Sequence, residues 1–352
     1  MSYVDGWAAV NLEMPHRVPR IEFDAESHWA LVRRVTGINV TVTSSPEVQQ
    51  SARAAFARAW DYDLRLAPLI GHGELDAKRT YMGHSEYADG GVDRDEHVSA
   101  AFTTAEEALA FDPWETYGAQ DKATLVRRFD EHYRSQCASY PDLVNSTGVY
   151  VSLFSGLIAI YGWDMLLTLA GMDPEGLGRV AERYASWMQP YFDAVAESEA
   201  TVIYSHDDIV WSAGPAIRPA WYRRYIFPHY QRYWAPLLEA GKKPIFVSDG
   251  NYTEFIDDIA ACGAQGFFLE PLTDLAYLTE RYGRTHIIVG NADTRILLRG
   301  NRREIRQEVE RCMRLGRDCP GFFMSVTNMI PANTPVESAL YYNQVYEELR
   351  ER

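Results

Sequence analysis

Short apolar runs that end abruptly in polar or acidic clusters recur along the second half of the chain. Residues 202–204 run into Ser205-His206-Asp207-Asp208, 244–247 into Ser248-Asp249-Gly250-Asn251, and 266–269 into Glu270. Further on, 286–289 run into Gly290-Asn291-Ala292-Asp293, and 322–324 into Ser325-Val326-Thr327-Asn328. A helical pattern follows each run. Such runs read as parallel strands, whose carboxyl ends are where barrels and doubly wound sheets keep their chemistry. Adding the candidate strands 18–23, 62–66 and 149–154 brings the count to eight, the number that closes a barrel.

Helical spacing holds over 46–60, 125–139, 174–198, 219–240, 252–262, 274–282, 302–315 and 335–350. Pro174, Pro219 and Pro335 stand in first turns, where a missing N–H costs nothing. The expected fold is therefore α/β: a (β/α)8 TIM barrel with extra N-terminal helices and a long insertion after the second strand. That insertion, 69–121, is rich in Gly, His, Tyr and Asp and keeps no period; it is either a functional lid or a structural cover. The apolar stretch 151–170 is broken by Ser152, Ser155, Gly156, Gly162 and Asp164, which suits a buried strand turning into a buried helix better than a membrane span.

Length, charge and cysteines narrow the classes. One barrel with additions fills 352 residues, so a single domain over 1–352 is expected. Acidic residues outnumber basic ones 49 to 34, for a net charge of −15, which argues against a nucleic-acid partner. Cys137, Cys262, Cys312 and Cys319 form no C-x-x-C pair and read as free thiols of a reducing compartment. Residues 1–20 lack the charged start and apolar stretch of an export signal. A cytoplasmic protein without a membrane partner is the expectation, and a homodimer would be ordinary.

The strand ends supply the candidate chemistry. In His206-Asp207-Asp208 neighbours point to opposite faces, so one or two can face a site, as metal ligand, general acid or substrate contact, and another can cap a helix. Asp249 is the first candidate for catalysis, with helix capping as its other reading. Glu270 is either a ligand or the partner of a rim arginine, since a buried Glu is costly unless paired. Asn251, Asn291, Asp293 and Asn328 are polar contacts or helix caps. Of the aromatics Trp29, Trp60, Tyr62, Tyr81, Tyr87, Trp114, Tyr150, Tyr204 and Trp211, two or three would wall a pocket for an aromatic substrate, Tyr204 and Trp211 foremost. His72, His84 and His97, with Glu74, Asp76, Glu86, Asp89 and Asp93, either complete a metal site or are solvated loop residues.

Several short motifs, in order, resemble the uroporphyrinogen decarboxylase superfamily, which also holds cobalamin-linked methyltransferases. They are Val18-Pro19-Arg20 with Thr36-Gly37, Tyr161-Gly162-Trp163 with Asp173-Pro174-Glu175, His206-Asp207-Asp208, Ser248-Asp249-Gly250-Asn251, Gly290-Asn291-Ala292-Asp293, and Ile330-Pro331-Ala332-Asn333-Thr334-Pro335-Val336-Glu337. The resemblance implies the same barrel.

Its branches differ at the site. Decarboxylases carry an Arg-Gln-Ala-Gly-Arg type segment after the first strand, to pair a porphyrinogen's carboxylates; here the segment is Glu22-Phe23-Asp24-Ala25. Their catalytic Asp has no clear counterpart in 64–68, and their last histidine falls on Asn328. Thiol methyltransferases bind zinc through a His-x-Cys pair and a later Cys, which fall here on Val247, Asp249 and Asn328. The O-demethylase methyltransferase components use carboxylate-rich sites, and that resemblance implies Asp249, Glu270 and His206 as acid groups or metal ligands, zinc being the ion to test.

The favoured reading is thus transfer of a methyl group from a methoxylated small molecule to a corrinoid (cobalamin) carried by a partner protein. A decarboxylase of a tetrapyrrole or another carboxylated ring is the alternative, with Arg17, Arg20, Arg65 and Arg79 as the available cations. A tetrapyrrole-binding barrel without turnover is the third.

Overall fold

The computed structural model describes residues 3–80 and 100–352. Seven strands form one parallel sheet in the order β1-β2-β3-β6-β7-β8-β9. They are β1 (Leu64–Arg65), β2 (Val144–Val149), β3 (Val202–His206), β6 (Lys243–Ser248), β7 (Gly266–Leu269), β8 (Ile287–Val289) and β9 (Phe322–Phe323). A small antiparallel hairpin, β4 (Val210–Trp211) with β5 (Gly214–Pro215), rises from the rim after β3.

The sheet curls until its edges meet across the segment 17–21. Met324 N–H donates to Pro19 O at 2.8 Å and Ile21 N–H to Met324 O at 3.1 Å, while on the other edge Asp63 N–H donates to Arg20 O at 2.9 Å. The chain therefore forms the α/β barrel expected. Its first stave is a single bridge, Arg20 to Met324, rather than a regular strand over 18–23. Pro19 explains part of this, because it has no N–H for a ladder.

Alternation with period two sorts the strand side chains. Val202, Tyr204, Ile245, Val247, Phe268, Ile287, Val289 and Phe323 fill the barrel interior. Ile203, Phe246, Phe267, Leu269, Ile288 and Phe322 face the opposite way, into the larger core beneath the helices.

A second strand also differs from its sequence reading. Residues 149–154 were the candidate, but β2 is Val144–Val149, and the apolar run beyond it carries the chain into the helix Phe154–Met172. The true strand hides because its middle is polar. Asn145, Ser146 and Thr147 are buried and each makes an internal hydrogen bond: Asn145 Nδ2 donates to Tyr140 O at 2.9 Å, Ala67 N–H donates to Ser146 Oγ at 2.9 Å, and Thr147 Oγ1 meets His132 Nδ1 at 2.9 Å. The next residue, Gly148, has φ +154°, and a Cβ there would lie 2.0 Å from Tyr204 O.

The pattern 219–240 is also two helices, Pro219–Tyr225 and Phe227–Glu239. Pro228 breaks it, since it cannot donate to the carbonyl four residues back. Helix Phe154–Met172 is long and apolar enough to cross a membrane by composition alone, yet 61% of that window is buried inside the fold. All four cysteines are free.

Gly148→Ala is expected to destabilise the protein by roughly 3 kcal/mol or more, through backbone contact between β2 and β3 and an unfavourable φ. A denaturant midpoint within error of wild type would contradict this packing.

Candidate active site

Four strand ends converge on one pocket of about 80 Å³. Tyr204 and His206 come from β3, Val247 and Ser248 from β6 with Asp249 just beyond it, Phe268 and Leu269 from β7 with Glu270 next, and Asn328 and Met329 from the turn after β9. Tyr150 and Phe23 complete the lining. Two-residue periodicity explains the β3 contribution. Tyr204 points inward, so His206 does also, and Asp208 follows on the same side.

Asp207 goes the other way. Its carboxylate accepts from the backbone N–H groups of Leu153, Phe154 and Ser155 at 3.3, 2.9 and 2.6 Å, and from Tyr230 Oη at 2.6 Å. It thereby serves the buried N–H groups that begin helix Phe154–Met172 and have no acceptor within it, and fixes that helix to the end of β3.

His206 is 3% exposed and engaged at both ring nitrogens. Nδ1 lies 2.7 Å from Tyr150 O, and Nε2 lies 3.2 Å from Asp208 Oδ1. Two acceptors facing one imidazole favour the doubly protonated ring. Burial pulls its pKa down, but Asp208, through charge and hydrogen bond, together with Asp249 and the Tyr150 carbonyl, outweighs it and sets the pKa at about 9. The Tyr150 ring stacks on the imidazole with centroids 4.1 Å apart and planes 4° apart.

The carboxylates are linked through backbone and amide donors. Asp249 N–H donates to Asp208 Oδ1 at 2.8 Å, and Gly250 N–H donates to Glu270 Oε2 at 2.8 Å. Asn328 Nδ2 stands 3.3 Å from both Asp249 Oδ2 and Glu270 Oε1. Asn328 has φ 64°, a left-handed conformation that Asn tolerates better than most residues and that is common at functional turns. Burial, followed by the charges of Asp208 and Glu270, lifts the Asp249 carboxyl well above the usual carboxylate range, against the opposing charge of His206. His72 completes the surroundings, edge-on to Tyr150 at 5.6 Å; burial, with Arg79 and His206 nearby, lowers its pKa to about 4 and keeps it neutral.

Other sequence candidates stand elsewhere. Trp211 lies on the rim hairpin, 44% exposed and packed on Trp163 at 5.1 Å, not in the pocket lining. Asn251 accepts from Thr253 N–H at 3.2 Å and Thr253 Oγ1 at 2.7 Å, starting the turn after β6. Asn291 is buried as a tie, its Nδ2 donating to Glu270 O and Thr273 O at 3.2 Å while Arg311 donates to its Oδ1 at 2.9 Å. Asp293 caps helix Thr294–Arg299. Glu74 is held by Arg128 and Tyr191. Tyr81, Tyr87, His84, His97, Glu86, Asp89 and Asp93 lie outside the described residues.

Sequence reading passed over Phe23 and Phe268. Phe23 was read only for the acids beside it, and Phe268 was one of two adjacent phenylalanines. The period-two alternation of β7 separates them, sending Phe267 out and Phe268 in.

Among the described residues no Arg or Lys lines the pocket. The four arginine candidates are all committed elsewhere. Arg17 makes a double contact with Asp63 at 2.7 and 2.9 Å, Arg20 pairs with Glu22 at 2.5 Å, Arg65 with Glu26, and Arg79 with Asp76 at 2.8 Å. Nor do the described residues contain a group of three or more His, Cys, Asp or Glu arranged to hold a metal ion. With both His206 nitrogens occupied, the donor set as arranged does not fit a bound metal.

The profile of the family described as "Uroporphyrinogen decarboxylase (URO-D)" matches residues 139–348. This chain belongs to the uroporphyrinogen decarboxylase family. The matched stretch includes His206, Asp208, Asp249, Glu270 and Asn328, and excludes the acidic segment around Phe23. Among curated members, the uroporphyrinogen decarboxylase of Thermus thermophilus is 29% identical over 171 residues, 49% of this chain and 48% of the relative. That of Syntrophotalea carbinolica is 27% identical over 168 residues, 48% of this chain and 47% of the relative. The chain spans about half the length of the curated relatives it matches. A solved "methyltransferase from Methanosarcina mazei" superposes with TM-score 0.64 over 98% of both chains, at 16% identity, a likeness of fold.

Because the folded His206 pKa lies above the unfolded value near 6.5, its ion pair contributes stability fully below about pH 6.5, and that contribution is lost as pH rises through about 9. The difference in unfolding midpoint between wild type and His206→Gln should therefore shrink across that window. A difference that grows with pH would contradict the charged imidazole.

Proposed function

We propose that this family member is a methyltransferase that demethylates a small, uncharged methoxylated aromatic compound, with a corrinoid on a partner protein as acceptor. One observation carries the reading: the pocket offers carboxylates, aromatic walls and an imidazolium, and no guanidinium or ammonium among its described lining residues. A porphyrinogen with many carboxylates would meet like charge there, and each such meeting is repulsive. A neutral methoxyarene meets Phe23, Tyr204, Phe268 and Tyr150, whose rings suit a planar partner.

When bound, the reduced corrinoid supplies the electron pair that forms the new bond to the methyl carbon. The C–O pair then stays on the substrate oxygen, which must gain a proton. Asp249 is the proposed donor, since burial beside two other acids favours its protonated form and the residue lines the pocket. His206, positively charged beside Asp208, stabilises the negative charge growing on that oxygen. Asn328 holds Asp249 and Glu270 in place with its amide.

The test is methyl transfer from a methoxybenzyl alcohol to reduced cobalamin, followed by the absorbance of the methylated product. Wild type should transfer, and Asp249→Asn should lower the rate by roughly 100-fold or more. Release of carbon dioxide from uroporphyrinogen, with no transfer from any methoxyarene, would overturn the assignment in favour of decarboxylation.

A further inference from the structure

Among the described residues, Phe23 alone lines both the reaction pocket and the larger cavity beside it, which lies between the first stave, β1 and helix Lys122–Ser139. Small-molecule sites commonly enclose about 300 to 1,000 Å³. The reaction pocket, at about 80 Å³, falls short of that, and a volume of about 330 Å³ stands on the far side of one phenyl ring.

The ring is braced by its neighbours. Tyr204 lies parallel to it, with centroids 6.3 Å apart and planes 10° apart, and Phe268 meets it edge-on at 6.1 Å. The backbone is tied on either side of it as well. Glu22 accepts from Arg20 at 2.5 Å, from Tyr342 Oη at 2.7 Å and from Val326 N–H at 2.7 Å. Asp24 is left-handed, with φ 56°, and its carbonyl accepts from Ser27 N–H at 3.2 Å to open the turn Ala25–Ser27. Drawing the ring aside by moving the chain would break buried, charge-assisted hydrogen bonds.

The far cavity has no charge preference to offer. Arg65 is engaged with Glu26 and, at 3.2 Å, with Gln136, and His132 meets Thr147 Oγ1 at 2.9 Å. Ile21, Leu64 and Leu66 supply apolar wall. What lies beyond Phe23 is room suited to an uncharged, largely apolar group.

We infer that Phe23 is a specificity-determining residue: its ring divides one strand-end site in two and stops the substrate at a single aromatic ring. A ligand carrying a second ring in line with the first would have to occupy the volume of the phenyl group, so it is rejected by a clash. The family profile covers Tyr204 and Phe268 but not Phe23, so the divider stands outside the stretch that matches the family. The division rests on the two cavities; the class of ligand, an uncharged arene, rests on the function proposed above.

Calorimetric titration of the full chain with 4-methoxybenzyl alcohol and with 4-phenylbenzyl alcohol, which has a second ring and no methyl group to lose, tests it. Wild type should bind the one-ring alcohol at least tenfold more tightly. Phe23→Ala should bind the two-ring alcohol at least tenfold more tightly than wild type does, and Phe23→Leu, which keeps an apolar side chain should Phe23→Ala fail to fold, at least threefold. Adding Gln136→Trp, which refills the far cavity from its helix side, should cancel the gain, whereas a pocket that had merely loosened would keep it. Equal binding of the two alcohols to wild type, no gain in either Phe23 variant, or a gain that survives Gln136→Trp would overturn the inference. The gain without methyl transfer from 4-methoxybenzyl alcohol would strike the proposed reaction and uphold the divider; transfer in wild type without the gain would strike the divider and leave the reaction standing.

Discussion

The ion pair between His206 and Asp208 is what allows several acids to share one buried rim. Two unit charges even 6 Å apart interact by roughly 3 kcal/mol at an effective dielectric of 20, so Asp208, Asp249 and Glu270 could not all be charged there without a cation. The imidazolium neutralises Asp208, the Tyr150 carbonyl holds its other nitrogen, and burial beside Asp208 and Glu270 shifts Asp249 towards its protonated form. Asn328 then bridges Asp249 and Glu270 with neutral N–H groups. The result is a site whose charged imidazole is already paired with Asp208, with no guanidinium or ammonium among the described lining residues to grip a polyanion.

Barrel geometry makes this arrangement possible. Each inward position on β3, β6 and β7 is two residues from the next, so an acid just past a strand end falls on the rim whenever the apolar residues before it fill the interior. Asp207 shows the converse. One residue out of phase, it serves the start of helix Phe154–Met172 instead, and so fixes the backbone on which His206 and Asp208 stand.

The barrel was legible from the recurring apolar runs because parallel strands buried on both faces carry continuous apolar sequence. Strands β6 and β7 follow that rule. Strand β2 does not, since Asn145, Ser146 and Thr147 are buried by internal hydrogen bonding, which leaves no apolar signal. The first stave escapes for another reason: Pro19 and the short run of cross-bonds leave it a bridge rather than a ladder. At the site, Asp249, Glu270, His206, Asn328 and Tyr204 could be named from strand-end position alone. Trp211, Asn251 and Asn291 could not be sorted from them, because whether a rim residue turns inward depends on the loop it enters: a hairpin for Trp211, a turn for Asn251 and the Arg311 contact for Asn291. Phe23 was hidden by its acidic neighbours, Glu22 and Asp24.

The most direct measurement of the central claim, a pocket built against anionic ligands, is the affinity of a methoxybenzyl alcohol compared with the matching methoxybenzoate at pH 7, read by the shift in Tyr204 and Tyr150 ring signals. The neutral alcohol is predicted to bind at least tenfold more tightly, with the preference reduced in Glu270→Gln. Tighter binding of the carboxylate would mean that the rim presents net positive charge to its ligand, and would contradict the account.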